Sequence, residues 1–242
     1  DIARRRGLTG IDERCRAAQL QAGRCEVTVA VLGQVTAGKT SLLNALLGQE
    51  LLPVQAVPAT AVITRLRFGE HLGAWVTPNH GDPFPTEVAS LAEWITETGD
   101  PGNRRGVAHV DVETPDLADL DHLVLVDTPG TGSTWEHNTE TSLRWLPQVG
   151  AALVAINATQ PFSKDDLSLI ELIAPHTPTL LVVLTKIDLL TPQDLQAVTA
   201  HVRRQLQSRT HTEPTILPVS NTSRHRPERE RLRSFLRELN LT

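Results

Sequence analysis

"VTVAVLGQVTAGKTSLLNALLGQELLP" occupies residues 27–53 and joins three kinds of segment. Val27, Val29 and Val31 lie in an almost unbroken apolar run that ends at Gly33, the pattern of a strand buried on both faces. Residues 40–47 then put Leu42, Leu43, Leu46 and Leu47 on one side of a helix, and Gly48 supplies its stop. Between the two, Gly33, Gln34, Val35, Thr36, Ala37, Gly38, Lys39 and Thr40 fit the pattern G-x-x-x-x-G-K-[ST]. The glycines let main-chain N–H groups face inward around phosphate oxygens, and the helix start adds partial positive charge. Lys39 is expected to reach the β- and γ-phosphates, and the Thr40 hydroxyl to hold Mg2+. Ser41 completes this set of nucleotide-binding candidates.

Composition supports the same reading independently. Lysine occurs only at Lys39, Lys164 and Lys186, and the other 20 of the 23 basic residues are arginine. A chain that avoids lysine has nevertheless placed one in the loop, where a compact ammonium on a flexible stem is needed and a planar guanidinium is the wrong shape. A second lies in "VLTKID" (183–188).

Elsewhere, apolar strands alternate with helical stretches. Strands are expected at 61–68, 73–77, 107–113, 122–127, 152–157, 179–185 and 215–219, and helices at 86–97, 139–146, 165–174 and 192–208. That alternation implies βαβ units and an α/β domain with a mainly parallel central sheet and helices on both faces. "PNHGDPFP" (78–85) and "TGDPGNRRG" (98–106) are turn-rich loops within it.

Two strand ends point to the same ligand. "LVLVDTPG" (123–130) finishes an apolar run with Asp127, a metal-side carboxylate, and Gly130, whose N–H can meet a γ-phosphate. "TKID" follows the apolar "TLLVVL" (179–184). Asp188 can accept from both N1–H and the 2-amino group of guanine, donors that adenine does not present together. Lys186 can cover the base with its stem, and Thr185 precedes it. The nucleotide is then GTP, with GDP as product.

The order and form of these motifs resemble a GTPase, and more narrowly the GTPase domain of dynamin-like proteins, the bacterial ones in particular. "GKTSLLNALLGQELLP" (38–53), "VPATAVITRLRFG" (57–69), "VETPDLADLDHLVLVDTPG" (112–130) and "ATQPFSKDDL" (158–167) carry the likeness, which covers residues 25–222. Thr60 and Asp127 stand 67 residues apart, a long insertion between the switch motifs. The resemblance implies that Thr60 is the switch I threonine, binding Mg2+ through its hydroxyl and orienting water through its backbone. It implies that Thr36 occupies the place of a serine that helps hold a charge-compensating monovalent cation. "PVSNTS" (218–223) falls where the fifth guanine motif belongs, with Ser220 and Asn221 as candidates or a plain strand-end turn as the alternative.

Two departures bear on catalysis. Eukaryotic dynamins place a water-orienting glutamine where this chain has Val35, and Gln34 is one register away. After Asp-Thr-Pro-Gly comes Thr131, so the glutamine used by Ras is absent as well. Hydrolysis would rest on electrostatics from Lys39, Mg2+, Thr36 with a cation, and water held by Thr60 and Gly130. Slow basal turnover is expected, and the resemblance implies that it improves when two heads meet across the nucleotide.

The flanks divide the chain. Ile11, Cys15, Ala18 and Ala22 stand at helical spacing, and the resemblance implies that residues 1–24 supply one helix of a neck-like bundle, 25–223 the GTPase domain and 224–242 a second helix of that bundle. In the last, Leu232, Phe235, Leu236 and Leu239 form a stripe after Pro227 and Glu228. The two helices would pack on each other or on the domain. The arginines of 224–237, interleaved with glutamate, read as a solvated face.

The remaining composition limits partners and compartment. A net charge of −5 and 3% aromatic residues argue against nucleic-acid binding. Cys15 and Cys25 match no metal spacing and read as reduced thiols of a cytoplasmic protein. No run is long enough to span a membrane. The chain begins at Asp1 and contains no Met, so it is expected to be a piece of a longer protein. Membrane contact would then come through parts outside it, with cytoplasmic or peripheral-membrane localisation. Two function classes stand: the head of a mechanochemical GTPase that self-associates to remodel membrane, and an Era-type switch acting on a ribosomal or protein partner.

Overall fold

A computed structural model describes residues 26–54, 62–129, 149–210 and 215–239. Nine strands form one sheet in the order β4-β3-β5-β2-β6-β1-β7-β8-β9. They are β1 (Val27–Leu32), β2 (Ile63–Phe68), β3 (Gly73–Pro78), β4 (Phe84–Thr86), β5 (Val107–Thr114), β6 (Leu123–Asp127), β7 (Ala151–Asn157), β8 (Thr179–Thr185) and β9 (Thr215–Pro218). The helices are α1 (Lys39–Leu47), α2 (Ala92–Ile95), α3 (Lys164–Ile173), α4 (Pro192–Thr210) and α5 (Arg226–Arg237).

The five strands β6-β1-β7-β8-β9 are mutually parallel. β2 joins this block antiparallel to β6, and β5, β3 and β4 extend it. Because β6 and β7 flank β1 on opposite sides, the chain leaves the end of β1 at a point where successive connections diverge. That crevice is where open α/β sheets hold ligands.

Alternating side chains of β1 explain the layers. Val27, Val29 and Val31 enter one core cluster with Leu42, Leu43 and Leu46 of α1 and Leu232 and Leu236 of α5. Ala30 and Leu32 enter another with Leu169 and Ile170 of α3 and Val202 and Leu206 of α4. Helices therefore cover both faces, as the near-continuous apolar strands require.

The stretch 86–97 is not one helix. Thr86 pairs with Ala74 in the edge strand β4, Val88–Ser90 form a 3-10 turn, and only Ala92–Ile95 are α-helical. Leu91 and Ile95 are buried, which accounts for the helical periodicity. Thr96 ends the turn: its backbone is extended, and its hydroxyl donates to Ala92 O at 2.6 Å. The expected helices at 11–22 and 139–146 lie outside the described residues.

The last helix docks on the domain itself. Leu232 and Leu236 are fully buried against the α1 side of the sheet. Its arginines are not all solvated, which corrects the expectation of an exposed face. The Arg233 side chain is only 17% exposed; it pairs with Asp119 and donates to Leu46 O and Asp116 O.

Candidate functional site

The loop after β1 is shaped by what cannot fit around it. Gly33 has φ 143°, and a Cβ there would stand 2.4 Å from Ala155 O of β7. Gly38, at φ 86°, starts α1 without any side-chain cap, so the first-turn N–H groups face whatever the loop encloses. Between them, Ala37 N donates to Gln34 O, and Thr36 takes a left-handed φ of 68° with an exposed side chain. Thr185, at the end of β8, fastens the loop from beneath. Its hydroxyl donates to Ala37 O at 2.7 Å and lies 3.1 Å from Ile156 O. Thr185 is buried, so its side chain reads as a support for the loop.

Lys39 and Thr40 open α1 and face the end of β6. The Lys39 ammonium donates to Gly33 O and Gln34 O, both at 3.0 Å. Burial lowers its pKa from the ordinary lysine value, and the negative charge of Asp127 opposes that shift. Thr40 Oγ1 donates to Asp127 Oδ2 at 2.8 Å. Asp127 is completely buried, and burial pushes its carboxyl up to about 6, against the lowering influence of the Thr40 hydrogen bond and Lys39.

Asp127 Oδ1 is buried without a hydrogen-bond partner. An orphaned carboxylate oxygen beside a threonine hydroxyl is a hard-oxygen donor set, and it fits Mg2+, which takes one or two protein oxygens and completes its shell from phosphate and water. Among the described residues no three His, Cys, Asp or Glu side chains cluster as a softer or all-protein metal site would need. The other two candidates for this region, Thr60 and Gly130, lie outside the described residues.

The residues expected on the base side come from the ends of β8 and β9. Lys186 adopts φ 57° and starts the 3-10 turn Ile187–Leu189, which presents Asp188 to solvent. Ser220, only 1% exposed, donates its hydroxyl to Asp188 Oδ1 at 2.5 Å. Asn221, in contrast, is exposed. The structure thus brings Ser220 to the carboxylate and leaves Asn221 on the surface. Val35 and Ser41 are half-buried.

Three residues support the site through side-chain contacts that the motifs do not specify. Gln34 is turned away from the loop interior: its amide donates to Ser163 Oγ at 2.6 Å and Asp166 Oδ1 at 3.0 Å, the capping box of α3. Thr128 Oγ1 donates to Val31 O at 2.7 Å and fixes the chain leaving β6 to β1. Asn44 takes N–H groups from Leu51 and Leu52 and donates to Leu52 O, tying the segment after α1 to that helix. A lone polar residue among the leucines of "LLNALL" is a readable clue for the last; the others are visible only in three dimensions.

A phosphate loop at the central strand, a Thr–Asp pair beside it and a carboxylate at the end of β8 define a P-loop domain of the GTPase class. The family model of the dynamin family matches residues 29–187, and the chain belongs to that family, as its dynamin-like GTPase domain. "Dynamin-like protein 2" of Campylobacter jejuni is 32% identical over 127 residues, 52% of this chain and 20% of that protein. A solved chain from "an oligomerised bacterial dynamin pair", described as a mechanism for long-range sensing and tethering of membranes, superposes with TM-score 0.70 at 19% identity. That match covers 96% of this chain and 40% of the other. Era, solved with MgGDPNP and ribosomal RNA, shares the fold at TM-score 0.54 and 19% identity over 89% of this chain and 57% of that one. The chain spans 20% to 42% of the length of its first three sequence relatives.

Proposed function

We propose that this domain binds GTP with Mg2+, hydrolyses it slowly when alone, and self-associates head to head across the nucleotide to drive membrane remodelling by a larger protein. The observation that carries the reading is the meeting of Lys39, Thr40 and Asp127 at one end of the sheet with the Asp188–Ser220 pair on the same edge. Main-chain N–H groups of Gly33 through Ser41 and the Lys39 ammonium would bind the phosphates. Thr40, Asp127 and Thr60 would hold Mg2+, which supplies charge neutralisation at the phosphate oxygens. Asp188 would select guanine, Lys186 would cover the ring, and Ser220, with Asn221 at the rim, would complete the base site.

Gly130 would meet the γ-phosphate and Thr60 would orient water, while Thr36 would help hold a monovalent cation. With Val35 in the loop and Gln34 committed to α3, neither neighbouring side chain offers a general base. Rate enhancement then depends on preorganised charge and on a second head. Residues 1–24 and α5 are proposed as the paired helices that connect the head to the rest of the protein. No helix among the described residues is long and apolar enough to cross a membrane. We assign membrane contact to regions outside this chain, and nucleic acid is not proposed as a partner.

Light scattering with GDP, GTP and a transition-state mimic tests the reading. Dimers that appear only with the mimic are expected. A monomer in every state would favour the Era-type switch instead.

A further inference from the structure

Arg229, at the end of the first turn of α5, belongs to none of the motifs, yet its guanidinium reaches back to the base loop. Its Nη1 donates to Ser220 O at 3.0 Å and to Thr222 O at 2.5 Å. We propose that Arg229 is a positioning residue for base recognition, closing the Ser220–Thr222 loop so that the Ser220 hydroxyl is aimed at Asp188. This rests on the reading of Asp188 as the guanine-selecting carboxylate.

The chemistry of one hydroxyl makes the position matter. Ser220 Oγ has a single proton, and Thr222 N–H donates into its oxygen at 3.1 Å. Thr222 Oγ1 also lies 3.1 Å from Ser220 Oγ, but Asp188 Oδ1 is the nearer acceptor at 2.5 Å and the charged one, so the proton goes to the carboxylate. That bond orients a surface carboxylate that would otherwise sample rotamers freely. The loop is tied to the sheet on its near side, where Val219 N donates to Leu184 O at 2.7 Å. On its far side the two Arg229 bonds and the Thr222–His225 contact at 2.9 Å fold it over.

Arg229 can do this because α5 is itself anchored. Leu232 and Leu236 are fully buried, and Arg233, one turn further on, donates to Leu46 O at the end of α1. Residues four apart share a helix face. One face of α5 thus grips both the base loop and the helix whose first turn carries Lys39 and Thr40. One helix thus links the loop beside Asp188 to α1, the helix that Lys39 opens.

The test is titration calorimetry of the intact chain with Mg2+, comparing GDP with IDP, which lacks the 2-amino group. Wild type should prefer GDP. In Arg229→Ala, and in Arg229→Gln, which stays polar but is two atoms too short for the Nη1 contacts, the GDP-to-IDP affinity ratio should fall about tenfold, the worth of one well-aimed hydrogen bond to a charged group. Arg229→Lys should restore most of it. General loosening of the domain would weaken both nucleotides alike and leave the ratio unchanged. A wild-type ratio in a folded Arg229→Gln protein overturns the proposal, even where Arg229→Ala fails to fold. Wild type without any GDP preference would overturn the reading of Asp188 itself, and this proposal with it.

Discussion

Thr40 Oγ1 donates to Asp127 Oδ2 across 87 residues of sequence, and the second oxygen of that carboxylate is buried with nothing bonded to it. Half of Asp127 is thus satisfied by the protein, and the other half is the oxygen we propose for Mg2+. Since burial lifts its folded pKa to about 6, above the ordinary 3.8, the folded state favours the protonated acid. Stability from this group is full below about pH 4 and lost as pH rises through about 6. Without metal, melting temperature measured against pH should show wild type gaining on Asp127→Asn as pH falls from about 7 to about 5. Mg2+ with GDP should stabilise wild type at neutral pH and the variant far less.

Asp188 is exposed and oriented by Ser220, so its replacement should alter recognition without harming the core. Asp188→Asn is expected to weaken GTP binding at least about tenfold, because a base donor loses its acceptor. Xanthosine nucleotides, with a carbonyl at position 2, should gain relative to GTP. Competition binding with both nucleotides checks this; unaltered preference would assign base reading to another residue.

Gln34 is held by Ser163 and Asp166, so it supports the loop and does not stand in for the glutamine missing at Val35. Val35→Gln should raise basal GTP turnover about tenfold if water is oriented from that register. Gln34→Ala should instead raise KM, by loosening the phosphate loop. Steady-state kinetics separates the two effects, and an unmoved rate in Val35→Gln would place water orientation elsewhere.

Arg233 joins α5 to Asp119, Asp116 O and Leu46 O from a mostly buried position. Arg233→Ala should cost about 2 kcal/mol in chemical denaturation, since it strips two carbonyls and a carboxylate of a charged donor. The hydrogen bond from Arg233, followed by that from Arg237, holds the Asp119 carboxyl well below its ordinary value. That contribution is present above the ordinary carboxylate pKa and fades as pH falls below it, so Arg233→Ala and wild type should converge in acid. A constant gap at every pH would mean that Asp119 contributes nothing.

Most of the fold was legible in advance because strands buried on both faces leave long apolar runs, and helices between them leave a repeat of three to four. The failure at 86–97 has a local cause. Leu91 and Ile95 keep helical spacing, but Thr86 is drawn into pairing with Ala74 and the Thr96 hydroxyl turns back to the chain. Period alone does not record such competition.

The phosphate loop, the carboxylate that ends β6 and the Thr-Lys-x-Asp turn were legible in the sequence, since each needs particular residue types at contiguous positions beside a strand end. The pairing of Asp188 with Ser220 and not Asn221, the diversion of Gln34 to α3 and the grip of Arg233 on the carbonyls of Leu46 and Asp116 were decided by tertiary structure alone. Contiguous motifs persist in the linear chain because neighbours are covalently enforced. Contacts across 30 or more residues, such as Asp188 with Ser220 and Arg233 with Leu46, exist only once the sheet and helices are packed, and no local pattern of residues encodes which partner a hydroxyl or guanidinium will meet.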